Sequence, residues 1–269
     1  MIIIGEKINA TRKSIAAAIQ ARDGEHIIQV AREQVAAGAD YLDLNGGSPQ
    51  PQAEVENMKW LVELVQAHVE VPLCIDSANP AAIEAGLSLA KAKPIVNSVS
   101  LEPGRLESLL PILSARECMV IGLCMSEEGM PTGTDDRLER AGRLVEALTG
   151  AGKQMDEIIL DPCFLPVSAQ PGAGRAVCEA IARIRREFPP VHVGGGLSNV
   201  SFGLPQRRLV NLAMVVSAVY CGMDAALIDP GSPMMLPLIL AAEVVTGADE
   251  WCAQYVAAYR QGRLGQAAP

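Results

Sequence analysis

The sequence predicts a closed (β/α)8 barrel, and three observations predict it. Short apolar runs alternate with helix-period segments eight times without interruption. The chain has 269 residues, and a barrel of this kind takes about 250. Several apolar runs end in Asp or Asn: Tyr41-Leu42-Asp43-Leu44-Asn45, Leu73-Cys74-Ile75-Asp76, Pro94-Ile95-Val96-Asn97 and Ile158-Ile159-Leu160-Asp161-Pro162. The C-terminal strand ends of such barrels carry the active site. An open doubly wound sheet is the main competitor. No Pro/Ser-rich linker divides the chain, so one domain over residues 1–269 is expected.

The elements follow in order. A first strand at Ile2–Ile4 leads into a polar loop at Glu6–Ser14. Gly24–Gly38 reads as a helix with Ile27, Ile28, Ala31 and Val35 inward, and Gly38 suits its end. Tyr41–Leu44 is the second strand and Ala53–Ala67 its helix. Pro72–Ile75 is the third strand; Pro80 fits the first turn of the following helix, where a missing N–H is harmless. Pro94–Val96, Met119–Leu123 and Ile158–Leu160 are the next strands. Their helices are Arg105–Ser114, Asp135–Thr149 and Gly174–Glu187. Val191–Val193 and Ala226–Ile228 complete the barrel, with helices at Arg207–Tyr220 and Pro233–Val245. An amphipathic segment, Asp249–Arg260, is expected to pack outside.

A formal charge of −9 argues against a general nucleic-acid or anionic-membrane surface. The seven cysteines are odd in number and form no Cys-x-x-Cys, which suits free thiols in a reducing cytosol. The N-terminus lacks the pattern of a signal peptide, and Leu236–Val245 is too short to span a bilayer. A soluble cytoplasmic protein is expected. His26 and His68 fall on predicted helices and His192 in a strand, with no metal-ligand spacing. No nucleophile elbow is present, and Cys163 reads as an inert thiol.

The strand ends offer carboxylates and amides, suited to a flat polar heterocycle rather than a metal. Asp76 either caps the next helix or accepts N–H bonds from a bound ring. Asn97 either braces a loop or offers its amide to that ring. Asp161 either holds a turn or pairs with the adjacent N–H donors of an aminopyrimidinone edge. Alternation puts Asp43 and Asn45 on one side of their strand. Asp43 reads as a brace, and Asn45 as a ligand contact or as the holder of the Gly46-Gly47 turn. Glu6, Asn9 and Asp229 read as support. In Gly194-Gly195-Gly196-Leu197-Ser198-Asn199 the glycines permit tight turning and close approach, and no phosphate motif follows. Asn199 is either structural or an amide poised over a ligand. Gly203 and Gln206 continue that loop. Arg207 and Arg208 read as solvent-facing helix caps.

At these positions the chain resembles the pterin-binding methyltransferases of corrinoid-dependent one-carbon metabolism. The resemblance spans nearly the whole chain, from Gly5-Glu6-Lys7-Ile8-Asn9 to the eighth strand. Its marks are Asp43-Leu44-Asn45, Cys74-Ile75-Asp76-Ser77, Val96-Asn97-Ser98, Leu160-Asp161-Pro162 and the Gly194–Asn199 run. The resemblance implies a dihydropteroate-synthase-like barrel. It implies that Asp76, Asn97 and Asp161 hold the pterin, that Asn199 approaches N5, and that Gly196, Gly203 and Gln206 shape that side. Tetrahydrofolate or 5-methyltetrahydrofolate is the implied substrate. A cobalamin or other corrinoid on a separate corrinoid-binding protein is the implied methyl partner, with a homodimer as the assembly. The implied reaction moves a methyl group between pterin N5 and cobalt, with Asn199, Asp76 and Asn97 serving the proton and charge changes at N5.

A dihydropteroate synthase is the nearest rival. That family carries an early Ser/Thr-Arg-Pro-Gly loop and a late Arg-x-His strand. Here Gly46-Gly47-Ser48-Pro49-Gln50 and Ile228-Asp229-Pro230 stand in those places. A non-catalytic pterin-binding subunit of a corrinoid complex is the third reading.

Overall fold

The computed structural model describes residues 1–264. Eight parallel strands close into a barrel in sequence order, and the last pairs back to the first. They are β1 (Ile2–Asn9), β2 (Tyr41–Asn45), β3 (Leu73–Asp76), β4 (Ile95–Leu101), β5 (Met119–Ser126), β6 (Ile158–Asp161), β7 (His192–Gly196) and β8 (Ala225–Ile228). The helices are α1 (Lys13–Ala21), α2 (Gly24–Ala36), α3 (Pro51–Gln66), α4 (Pro80–Leu89), α5 (Arg105–Ser114), α6 (Thr134–Gly150), α7 (Ala173–Glu187), α8 (Arg207–Tyr220), α9 (Met235–Thr246) and α10 (Ala253–Arg260). The barrel read from the sequence is the fold.

Strand alternation explains where the polar ends lie. Every second side chain enters the lumen. One apolar cluster inside the barrel contains Ile4, Cys74, Ile95, Met119, Ile121, Ile159 and Ala225. Two residues beyond Cys74, Ile95 and Ile159 come Asp76, Asn97 and Asp161. The same step along β2 runs from Tyr41 through Asp43 to Asn45. Asp76 and Asn97 are register partners, so they stand at one height. The intervening Leu42, Leu44, Ile75, Val96 and Leu160 join the larger core against the helices. Each fully buried Leu or Ile there contributes about 1.5–3 kcal/mol. One lattice of residues thus makes both the barrel's stability and its polar mouth.

The structure departs from the sequence expectations at several ends. The first strand runs on to Asn9 rather than stopping at Ile4, so Glu6–Asn9 is strand. A register shift between Gly5 and Ile8 lets the extended part follow β2 as far as the Asn9–Asn45 pair. The polar loop expected through Ser14 is therefore shortened, and α1 follows it. The Ile15, Ala18 and Ile19 stripe buries that helix. β4 continues past Asn97 to Leu101, and β5 to Ser126, again with register shifts between them. His68 lies just beyond α3 rather than on it. The Asp249–Arg260 segment is a short 3-10 turn followed by α10, because Trp251 and Cys252 adopt positive φ.

The glycine run also differs from its reading as a turn. Gly194, Gly195 and Gly196 lie in β7 itself. A Cβ on Gly194 would fall 1.7 Å from the Ala225 carbonyl oxygen on β8. A Cβ on Gly195 would fall 2.0 Å from the Asp161 carboxyl group. The glycines serve close strand packing and room for a neighbouring carboxylate.

Candidate active site

The two walls of the barrel mouth are built differently. On one wall, β1 to β4 bring side chains together. Asp76 Oδ2 accepts from Asn45 Nδ2 at 3.0 Å and from Asn9 Nδ2 at 3.3 Å. Asn97 Nδ2 donates to Asp43 Oδ1 at 3.1 Å, which leaves the Asn97 carbonyl oxygen as its acceptor. Asn45 Oδ1 also accepts from the Gly47 N–H at 3.0 Å, so Asn45 serves the turn and the cluster together. Asp43 is buried and stands beside Asp76. Burial and the Asp76 charge push its carboxyl well above the ordinary range; burial raises Asp76 as well. In so dry a place a second charge on the pair is costly to desolvate, which favours a proton on one of the two carboxyl groups.

On the other wall, backbone groups do the holding. Asp161 is buried at the end of β6. Its Oδ1 accepts from the Cys163 N–H at 2.8 Å, and its Oδ2 from the Gly196 N–H at 3.3 Å. Burial pushes its carboxyl up to about 6, against the lowering effect of those two N–H groups and Arg137. Cys163 is buried with φ 63, and burial holds its thiol far above its usual range. That protonated thiol is a poor nucleophile, in line with the sequence expectation.

Asn199 lies on a 3-10 turn, Leu197–Ser201, directly after β7. Its side chain folds back so that a Cβ on Gly196 would meet Asn199 Nδ2 at 3.1 Å. Asn199 is exposed toward the mouth, while Gly196 is tied to Asp161. Gly203 and Gln206 lie farther out on the same loop, exposed, with φ 79 and 51. Arg207 is more than the solvent-facing cap expected from sequence. It donates to the Ser198 carbonyl at 2.7 Å and to Ser201 Oγ at 3.0 Å, clasping the Asn199 turn. Glu6 accepts weakly from Ser198 Oγ at 3.5 Å and faces Arg12 at the same distance. Burial raises the Glu6 carboxyl. A cavity of about 260 Å³ beside this turn is lined by Glu6, Arg12, Ser198, Arg207 and Asp229 among others. Asp229 pairs with Lys7 at 3.4 Å and accepts from the Gly231 N–H at 3.0 Å.

The structure therefore gathers Asp43, Asn45, Asp76 and Asn97 on one wall, and Asp161, Gly196 and Asn199 on the other. Asn9 joins the first wall more closely than a supporting role implies; its strand phase, hidden by the extended β1, is the missing signal. His192, at the start of β7, pairs with Asp224 at 3.0 Å, away from these groups. Among the described residues, no group of three His, Cys, Asp or Glu side chains is arranged to hold a metal ion, and no helix is long and apolar enough to cross a membrane. The donor set fits a planar ring with N–H donors on two edges: Asp161 accepts on one side, and Asp76 with Asn97 offers carboxyl and amide groups on the other.

Comparison with known proteins adds a family. Residues 5–229 match the pterin binding enzymes. Over 267 residues the chain is 35% identical to the methylcorrinoid:tetrahydrofolate methyltransferase of Eubacterium limosum, covering 98% of each. Over 241 residues it is 27% identical to the methionine synthase of Mycobacterium tuberculosis, covering 85% of this chain and 20% of that protein. Among solved structures, the 7,8-dihydropteroate synthase of Vibrio fischeri superposes with a TM-score of 0.70 at 18% identity, covering 91% of this chain and 93% of that one. The dihydropteroate synthase of Yersinia pestis superposes with a TM-score of 0.69 at 18% identity, covering 92% and 93%. At that identity the synthases share the fold alone.

Proposed function

The chain belongs to the pterin binding enzyme family, and from that premise we propose that it moves a methyl group between N5 of a tetrahydrofolate and the cobalt of a corrinoid. The observation that carries this reading is the match along 98% of both chains to the methylcorrinoid:tetrahydrofolate methyltransferase. Residues 1–269 act as one pterin-binding unit in a cytoplasmic homodimer. The folate form is tetrahydrofolate or its 5-methyl derivative, and the corrinoid arrives on a separate protein.

The residues divide the work as follows. Asp161 accepts the paired N–H donors of the pterin's aminopyrimidinone edge. Asp76 and Asn97 receive the opposite side of the ring. Asp43 and Asn45 hold those two side chains in place. Asn199 donates its amide N–H to N5 and follows the change of charge there. Gly196 keeps the floor beneath Asn199 open, and Gly203 and Gln206 shape the outer part of that loop. An amide is not an acid, so the proton that accompanies methyl loss from N5 comes from another group. The Asp43–Asp76 pair, raised by burial, is an acidic source on the wall facing Asn199. In the opposite direction N5 attacks the methyl carbon of the methylcorrinoid substrate, the cobalt–carbon bond breaks with its electron pair left on cobalt, and N5 gives up its proton by the same route.

The test is spectroscopic. The purified protein, a carrier-bound corrinoid and 5-methyltetrahydrofolate are mixed, and the cobalt spectrum is followed; methylcorrinoid with tetrahydrofolate is run as the reverse. Conversion in either direction supports the reading. Failure with a competent carrier in both directions, together with product formation from a pterin diphosphate and aminobenzoate, would replace it with synthase chemistry.

A further inference from the structure

Two arginines outside the ring-binding set grip the backbone immediately past it. Arg105, the first residue of α5, donates to the carbonyls of Ser77 at 2.8 Å, Ala78 at 2.6 Å and Ser98 at 3.0 Å. Ser77 and Ala78 follow Asp76; Ser98 follows Asn97. One guanidinium thus ties the loop leaving β3 to the backbone of β4 just past Asn97. Arg137, in the first turn of α6, donates to the carbonyls of Pro162 at 2.6 Å, Cys163 at 3.2 Å and Gly133 at 3.0 Å. Pro162 and Cys163 follow Asp161. Arg137 is fully buried.

We propose that Arg105 and Arg137 are positioning residues for the pterin ring, each fixing the backbone just past a ring-binding side chain so that the two walls keep one spacing. The proposal rests on the pterin-binding reading above.

The choice of arginine has a physical reason. A guanidinium offers five N–H donors in a rigid plane, so it can hold two or three carbonyls at once. A lysine ammonium carries the charge on a flexible stem and cannot reproduce that fork. A buried cation also requires compensation. Arg137 takes it from three carbonyl dipoles and from the nearby Asp161 carboxylate, which it stabilises in return. The charged and titratable groups around that pair are few. Cys163 and Cys124 lie beside it as protonated thiols. Arg140 is engaged by Asp136 one turn along α6. Arg137 therefore has two separable effects, a geometric one through its fork and an electrostatic one through its charge.

Arg105→Lys, Arg137→Lys and Arg137→Gln separate these effects. Affinity for 5-methyltetrahydrofolate is measured by calorimetry between pH 5 and 8, with thermal melting as the control for folding. Both lysine variants are expected to melt cooperatively and to bind about tenfold more weakly at every pH. Arg137→Gln is expected to raise the pH below which binding falls away; Arg137→Lys leaves that pH in place. Should Arg137→Gln fail to fold, Arg105→Lys still tests positioning alone. A folded Arg105→Lys variant with wild-type affinity would overturn the proposal. So would a lowered melting temperature with unchanged affinity in both lysine variants. Loss of affinity in these variants alongside a wild type inert toward every corrinoid carrier would uphold the positioning role and reject methyl transfer.

Discussion

The two walls of the barrel mouth hold the same kind of ligand group by opposite means. Asp76 is wired by side chains, with Asn9, Asn45 and Asp43 around it. Asp161 is wired by two main-chain N–H groups, from Cys163 and Gly196. Side-chain wiring gives the first wall a network around two carboxyl groups raised by burial. Main-chain wiring gives the second wall fixed dipoles and no exchangeable partner, at the cost of needing glycine on the next strand. Asn199, to which we assign the contact with N5, hangs from the second wall. The difference suggests a division in which the first wall handles protons and the second handles geometry.

The comparison is sharpened most by Asn199→Ala. Removing a donor used chiefly in the transition state lowers the single-turnover transfer rate by about 10²–10³-fold, with pterin affinity little changed. Equal losses of rate and affinity, measured by stopped flow and calorimetry, would make Asn199 an ordinary binding group. Asp161→Asn removes charge-assisted bonds worth about 1.5–3 kcal/mol and so weakens pterin binding by about 10–100-fold. Gly195→Ala puts a methyl group against the Asp161 carboxyl; the overpacking costs about 1–3 kcal/mol, read as a lowered melting temperature. The same substitution at Gly133, which has nothing within 4 Å, serves as the benign control.

Acid weakens binding on the second wall. Asp161 is held up to about 6, and only its ionised form would present two charged acceptor oxygens to the paired N–H donors of the proposed ring. Affinity therefore falls as pH drops through about 6, by about tenfold one unit below that value. Asp161→Asn removes that step. Asp43→Asn produces the smallest change, a few-fold in affinity by an order-of-magnitude allowance for one retained hydrogen bond. Its effect on stability has a definite sign. A buried carboxyl raised above its unfolded value holds a proton that the unfolded chain has released, so stability declines as pH rises past the unfolded value. Chemical denaturation of Asp43→Asn should show a flatter decline from acid to neutral pH. An unchanged slope would separate Asp43 from that proton.

Much of this architecture is legible in the chain itself. The repeated Asp or Asn two residues after a lumen-facing position places Asp76, Asn97 and Asp161 correctly, because strand parity is a local property. The bounds of α5 and α8 follow from their apolar periodicity and agree with the structure. The extension of β1 to Asn9 is not legible, since it depends on a register shift against β2 rather than on apolar content. Arg137 escapes sequence reasoning although α6 carries a signal. It lies on the stripe of Ala141, Leu144, Val145 and Leu148, and an arginine on an apolar stripe asks for buried carbonyls. The role of Gly195 depends on Asp161, a residue distant in the chain that only the closed barrel brings against it.

The Asn199 turn begins at Gly196, and Gly196 is bonded to Asp161. In the proposed function, a ring captured by Asp161 would rest against the anchor of the arm assigned to its N5. Substrate registration and catalytic alignment share one reference point, as a jig and its tool share one bolt. Mutations that loosen that bolt will blur which folate is accepted and how fast it reacts in the same stroke, and selection acting on either property will preserve the other.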